Sequence, residues 1–212
     1  MRSFLASNGL LNSKVIPNGG QDENAPLFSM HYILLHDGTS PEAIEMSSAM
    51  LEYTKSCYIK DGLYHQRPDN NGSKEDWMSP DQLISFVALF NQRELPHKNR
   101  MIWRWLLLHW FTYDNMSMKT NFKRIMQPAA VAFVGASAGF ISKPFWRFIL
   151  MFVCIIACFS EPGETSGKLK AWQMTKSLNM KLTYYICSKL VKDWNRVFGI
   201  YFPEDHPLHK PY

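Results

Sequence analysis

The sequence predicts an all-α fold: a single domain of antiparallel helical hairpins, α/α-toroid-like or an irregular bundle. Apolar residues recur at helical spacing over most of residues 25–200, and strand alternation appears nowhere over a useful length. Helix-start signatures recur at Ser40-Pro41-Glu42 and Ser79-Pro80-Asp81. The length, 212 residues with 46% hydrophobic content, suffices for one well-cored domain and excludes a disordered tail or a disulfide mini-scaffold.

Residues 1–24 read as an irregular arm, because Asn8-Gly9, Asn12 and Pro17-Asn18-Gly19-Gly20 interrupt every short apolar stretch. The same breaks leave no apolar core for a secretory signal, so export by the general route is not expected. From Pro26, Leu27, Met30, Ile33 and Leu34 predict a helix that stops at His36-Asp37-Gly38, where glycine suits a C-terminal cap. Ser40 as N-cap, Pro41 at the first helical position and Glu42 in the first turn start a second helix running to about Ile59. Two helices joined by so short a turn are expected to pack antiparallel.

Residues 60–79 form the longest polar interruption. It ends at Ser79-Pro80-Asp81-Gln82, which combines an N-cap, an N1 proline, an acid and a capping-box glutamine. The next helix carries Leu83, Ile84, Phe86, Val87, Leu89 and Phe90, and another is expected from about Asn99 to Tyr113 with Trp103, Leu106, Leu107, Trp110 and Phe111. Further helices fit 116–126, 128–141, 144–160, 166–182 and 183–198, and residues 201–212 read as a tail in which His206-Pro207-Leu208-His209 docks rather than binds metal.

Residues 128–159 are the strongest hydropathy feature. Each half falls short of the roughly 20 apolar residues a bilayer span needs, and fusing them would bury Lys143 and Arg147 at about 2.5–3.5 kcal/mol each. A buried central hairpin is expected instead of a membrane anchor. Gly135 and Gly139 stand four apart there, a spacing that permits close helix packing in soluble cores as well as in membranes.

Cys57, Cys154, Cys158 and Cys187 form no Cys-x-x-Cys pair and have no histidine at zinc-ligand spacing, so reduced thiols, a cytoplasmic setting and no metal or cofactor are expected. Gly163-Glu164-Thr165-Ser166-Gly167-Lys168 has three residues between its glycines and no hydroxyl residue after the lysine, so it reads as a loop and helix cap, not a phosphate loop. Asp114 reads as a capping residue.

Net charge is +5, but residues 1–97 carry 7 basic and 12 acidic side chains, whereas residues 98–212 carry 16 and 6. Acids gather in and around the 60–81 loop. There Asp61, Asp69, Asp76 and Asp81 are candidate catalytic carboxylates, with Tyr64, His65, Arg67 and Trp77 as candidate substrate-binding residues. Paired carboxylates between aromatic walls suit acid–base chemistry on a glycosidic bond. The same residues also serve structure, since Asp61-Gly62 is a turn and Asp81 suits a helix start. The basic residues of the last two helices, among them Lys168, Lys170, Lys189 and Arg196, would suit nucleic acid, although the interleaved aromatics fall at core spacing.

Four phrases, Gly62-Leu63-Tyr64-His65-Gln66-Arg67-Pro68-Asp69, Met78-Ser79-Pro80-Asp81-Gln82-Leu83, Thr165-Ser166-Gly167-Lys168-Leu169 and Glu204-Asp205-His206-Pro207-Leu208, occur in this order. Together they resemble uncharacterised helical proteins encoded by tailed bacteriophages and some bacteria. That group has no assigned function, and the leading reading is a phage-type binding or assembly protein without enzymatic activity, located in the cytoplasm (that of the host if phage-encoded) or in the virion, with a protein or virion component as partner. A carbohydrate-active protein is the alternative, by analogy with α/α-toroid enzymes, and nucleic-acid binding is a further one.

Overall fold

A computed structural model of the chain describes residues 1–22, 24–36, 38–65, 67–68, 78, 80–113, 131, 134–135, 137–138 and 205–208. These are mostly helical, with one small two-stranded sheet. The helices are α1 (Ala25–Leu35), α2 (Pro41–Ser56), α3 (Pro80–Gln92) and α4 (Pro96–Leu108); the strands are β1 (Tyr58–Lys60) and β2 (Leu63–Tyr64). The helices expected at 116–126, 144–160, 166–182 and 183–198, and most of the apolar stretch at 128–159, lie outside the described residues. Among the described residues, no helix is long and apolar enough to cross a membrane.

Contacts divide the chain into two units, Met1–Met50 with Met151–Tyr212, and Leu51–Leu150, the boundary falling within α2. In the first unit α1 is buried on every side along Ala25–Leu34, as an apolar helix must be when no face of it can be left to water. Two polar residues inside it make hydrogen bonds to carbonyls one turn back. Ser29 donates its hydroxyl to the Ala25 carbonyl (2.7 Å) and accepts the Leu11 N–H (2.8 Å). His31 donates from Nδ1 to the Leu27 carbonyl (3.1 Å), and burial pushes its pKa down to about 3, so the ring is neutral.

The arm is more ordered than its turn residues suggest. Leu5 and Leu11 bridge antiparallel across a loop that turns at Gly9 (φ 81°), and Phe4, Leu10 and Leu11 are buried. Asn12 holds the arm together, because its amide donates to the Gly20 carbonyl (2.8 Å) and its oxygen accepts the Asp22 N–H (2.7 Å). The expected docking of the late His206-Pro207-Leu208 segment is present here. His206 Nε2 donates to the Asn12 carbonyl (2.8 Å), its Nδ1 accepts the Leu208 N–H (3.0 Å), and its ring meets Phe4 edge-on at 4.7 Å. A carbonyl only accepts and an amide N–H only donates, which fixes the proton on Nε2.

Ser40 caps α2 as its sequence requires, its Oγ accepting the Ala43 N–H (3.1 Å). The helix ends at Ser56, earlier than expected, because Tyr58–Lys60 leave it to form β1. Strands β1 and β2 pair antiparallel, Tyr58 with Tyr64 and Lys60 with Leu63, across an irregularity. Two residues with positive φ, Asp61 (43°) and Gly62 (87°), make the turn, the pattern that matches strand twist in a two-residue hairpin.

In the second unit α3 packs on α4 through a three-residue connection. A polar strip runs through their contact. Asn99 donates to Asn91 Oδ1 (2.7 Å), and Asn91 donates to Ser137 Oγ (2.9 Å). Beside it Gly135 faces the Trp103 ring, where an added Cβ would stand 2.9 Å from the ring edge, so this glycine serves close packing.

Candidate functional site

The hairpin is locked from within by Tyr113, which is fully buried. Its hydroxyl donates to the Gly62 carbonyl (2.6 Å) and accepts the Tyr64 N–H (3.1 Å), and His65 N–H extends the ladder to the Cys57 carbonyl (2.6 Å). Gly62 is required twice, by its positive φ and because a Cβ would fall 2.4 Å from the Met101 backbone. Tyr64 is only 2% exposed and meets Phe86 at 5.7 Å and Phe90 at 6.0 Å. Burial holds the phenols of Tyr64 and Tyr113 above their ordinary range, so both are neutral through physiological pH.

This geometry assigns the sequence candidates to separate places. Asp61 is exposed at the hairpin tip, where its N–H donates to the Tyr58 hydroxyl (3.1 Å), an arrangement that builds a turn. Tyr64, expected as an aromatic wall for substrate, is a core residue and offers no ring face to a sugar. The alternation of Leu63 and Tyr64 with polar neighbours is too short to reveal that burial in the sequence. His65 and Arg67 are half-buried just beyond β2, and Asp81 occupies the first turn of α3. Asp69, Asp76 and Trp77 lie outside the described residues, as do Asp114 and the Gly163–Lys168 stretch. Among the described residues no group of three or more metal-ligating side chains comes together, and Cys57 is buried.

A second place stands out at the end of the helix expected to run to Tyr113. Helix α4 ends at Leu108, not at Tyr113, and the apolar residues at its end face water: Leu107, Leu108 (65% exposed), Trp110 (86%) and Phe111. Leu107 and Leu108 lie on the helix side that also exposes Arg100 and Arg104, and Trp110 and Phe111 are turned outward by the way the helix closes. The Phe111 N–H reaches back to the Leu106 carbonyl (2.7 Å) and His109 N–H to Trp105 (3.0 Å), a Schellman closure with Trp110 in the left-handed position at φ 53°. Glycine is the usual occupant, since a side chain there costs about 1–2 kcal/mol. Phe111 follows at φ 58° and keeps one edge against Trp103, 6.3 Å away. Helix α3 closes in the same way, with Leu95 N–H to the Phe90 carbonyl (2.8 Å) and Glu94 at φ 54°.

One sequence signal pointed to this end of α4. Leu106-Leu107-Leu108 followed by Trp110-Phe111 is too continuous for a single helix face, so some of these residues had to leave the core. On the same side, one and two turns earlier, Arg104 and Arg100 are exposed and form no ion pair among the described residues. The end of α4 is thus an apolar, aromatic surface bordered by two free cations. Comparison of the chain with protein-family models, with curated proteins and with solved structures finds no match.

Proposed function

We propose that the protein is an all-α, hairpin-built binding or assembly protein of the tailed-phage type, without enzymatic activity, whose partner is a protein held by the end of α4. The observation that carries this reading is Trp110. It is 86% exposed, in a backbone conformation that disfavours any side chain, beside Leu107 and Leu108. Backbone strain combined with an exposed indole has a direct explanation in recognition, because tryptophan is among the side chains that dominate binding energy at interfaces. The carbohydrate alternative is weakened by the placement of Tyr64 inside the core and of Asp61 in a turn.

The test is a photoreactive benzoylphenylalanine at position 110, with a second at exposed Lys14 as control, irradiated in the producing cell. A discrete protein adduct at 110 that excess unmodified protein competes away, and that Leu108→Asp abolishes, is the expected result. Absence of any protein adduct at 110 would sink the proposal.

A further inference from the structure

We infer that the partner held by the end of α4 is a second copy of this chain, which presents the outward face of α2; this rests on the protein-binding reading above. The exposed residues along α2 are Pro41, Glu42, Ile44, Glu45, Ser48, Glu52, Lys55 and Ser56, and among them Glu42, Glu45, Ser48 and Glu52 follow one another at three- and four-residue spacing along one side of the helix. Lys55 pairs with Glu52 at 2.6 Å, whereas Glu42 and Glu45 have no ion pair among the described residues. Ile44, half exposed, lies at the edge of this face, about 100° round the helix from Glu45.

The outward face of α4 has the complementary make-up. Arg100 and Arg104 are one turn apart, as Glu42 and Glu45 are, so two acids and two arginines present matching spacings of about 5–6 Å. Leu107, Leu108 and Trp110 supply the apolar surface that Ile44 lacks a neighbour for on its own helix. Opposite charge steers and registers such faces, while the apolar contact holds them. The two faces differ, so a pair joined through one contact leaves α2 free on one copy and α4 free on the other. Association is therefore head-to-tail and continues into a ring or a filament, the geometry of an assembly protein.

Sedimentation velocity of the full chain tests this at low and high salt. The wild type is expected to exceed monomer mass in a concentration-dependent way at about 50 mM salt and to shift toward monomer at about 500 mM, where surface charges are screened. Glu42→Arg with Glu45→Arg makes both faces basic, and Arg100→Glu with Arg104→Glu makes α4 acidic. Each double variant alone is expected to be monomeric, and an equimolar mixture is expected to associate again, which misfolding cannot mimic. Trp110→Gly, which suits the left-handed position, is expected to weaken association at least tenfold without lowering the melting temperature.

A wild type that stays monomeric at all concentrations, or a mixture that fails to associate, overturns the inference. If the position-110 adduct persists in that case, the protein-binding reading stands with a different partner; if the adduct is also absent, both fall. Co-sedimentation of a monomeric wild type with phosphatidylglycerol vesicles, lost in Trp110→Gly, would overturn it in favour of a lipid surface.

Discussion

Replacing Tyr113 by phenylalanine removes one oxygen atom and should loosen the whole hairpin. That oxygen donates to the Gly62 carbonyl (2.6 Å) and accepts the Tyr64 N–H (3.1 Å), both in the interior. Each hydrogen bond contributes about 1 kcal/mol net, and each buried group left without a partner adds a penalty, so the loss should reach about 2–4 kcal/mol. With a urea slope of about 2 kcal/mol per molar, the unfolding midpoint falls by about 1–2 M at unchanged slope. Tyr58→Phe is the control. Its hydroxyl accepts only the exposed Asp61 N–H, which water can serve, and its ring keeps its place 5.5 Å under Lys98, so the loss should stay below about 0.5 kcal/mol. The same variant carries a pH signature. Tyr113 resists ionisation in the fold because burial raises its pKa, whereas the unfolded chain releases that proton near pH 10. The tyrosine contribution is therefore full below about pH 10 and falls as pH rises beyond it, by up to about 1.4 kcal/mol per pH unit for each such tyrosine, and Tyr113→Phe removes its share of that slope. A midpoint shift under about 0.25 M, or an alkaline slope equal to that of the wild type, would refute the clamp.

At acid pH the governing group is His31. Its folded pKa is depressed to about 3 by burial, so its contribution is present above the unfolded value near 6.5 and is lost as pH falls toward 3, at up to about 1.4 kcal/mol per pH unit. His31→Gln is expected to flatten that part of the stability profile, measured by thermal unfolding between pH 7 and 4. Gly62→Ala combines a positive φ with a Cβ 2.4 Å from the Met101 backbone; at least about 3 kcal/mol should be lost, visible as a drop in melting temperature. Ser40→Ala deletes the cap on α2 and should cost about 1 kcal/mol, read from the urea midpoint.

Local signals were legible where the chemistry is local. The Ser40 cap, the helical start at Pro80 and the Asp61-Gly62 turn all follow from backbone preferences that need no partner. The sequence also placed Leu83, Ile84, Phe86, Val87, Leu89 and Phe90 in one buried helix, which is where they are. The β-hairpin escaped notice because β1 and β2 are too short to show a period of two, and what holds them is Tyr113, some fifty residues away. The arm escaped for the same kind of reason, since Asn12 and Leu11 are ordered by α1 and by His206, none of them near in sequence.

By itself, then, the sequence determined where α1, α2 and α3 begin, the turn chemistry and the presence of acidic and basic regions, because each of these depends on residues within a few positions of one another. Only the tertiary structure decided which aromatics lie inside. Tyr64, read as a binding residue, is enclosed by Phe86, Phe90 and Tyr58, while Trp110, expected on a helix running to Tyr113, lies beyond its end and stands in water. Spacing alone cannot separate the two, because burial depends on where a helix ends and what packs beside it, and α4 is followed by a left-handed turn that carries Trp110 and Phe111 outward.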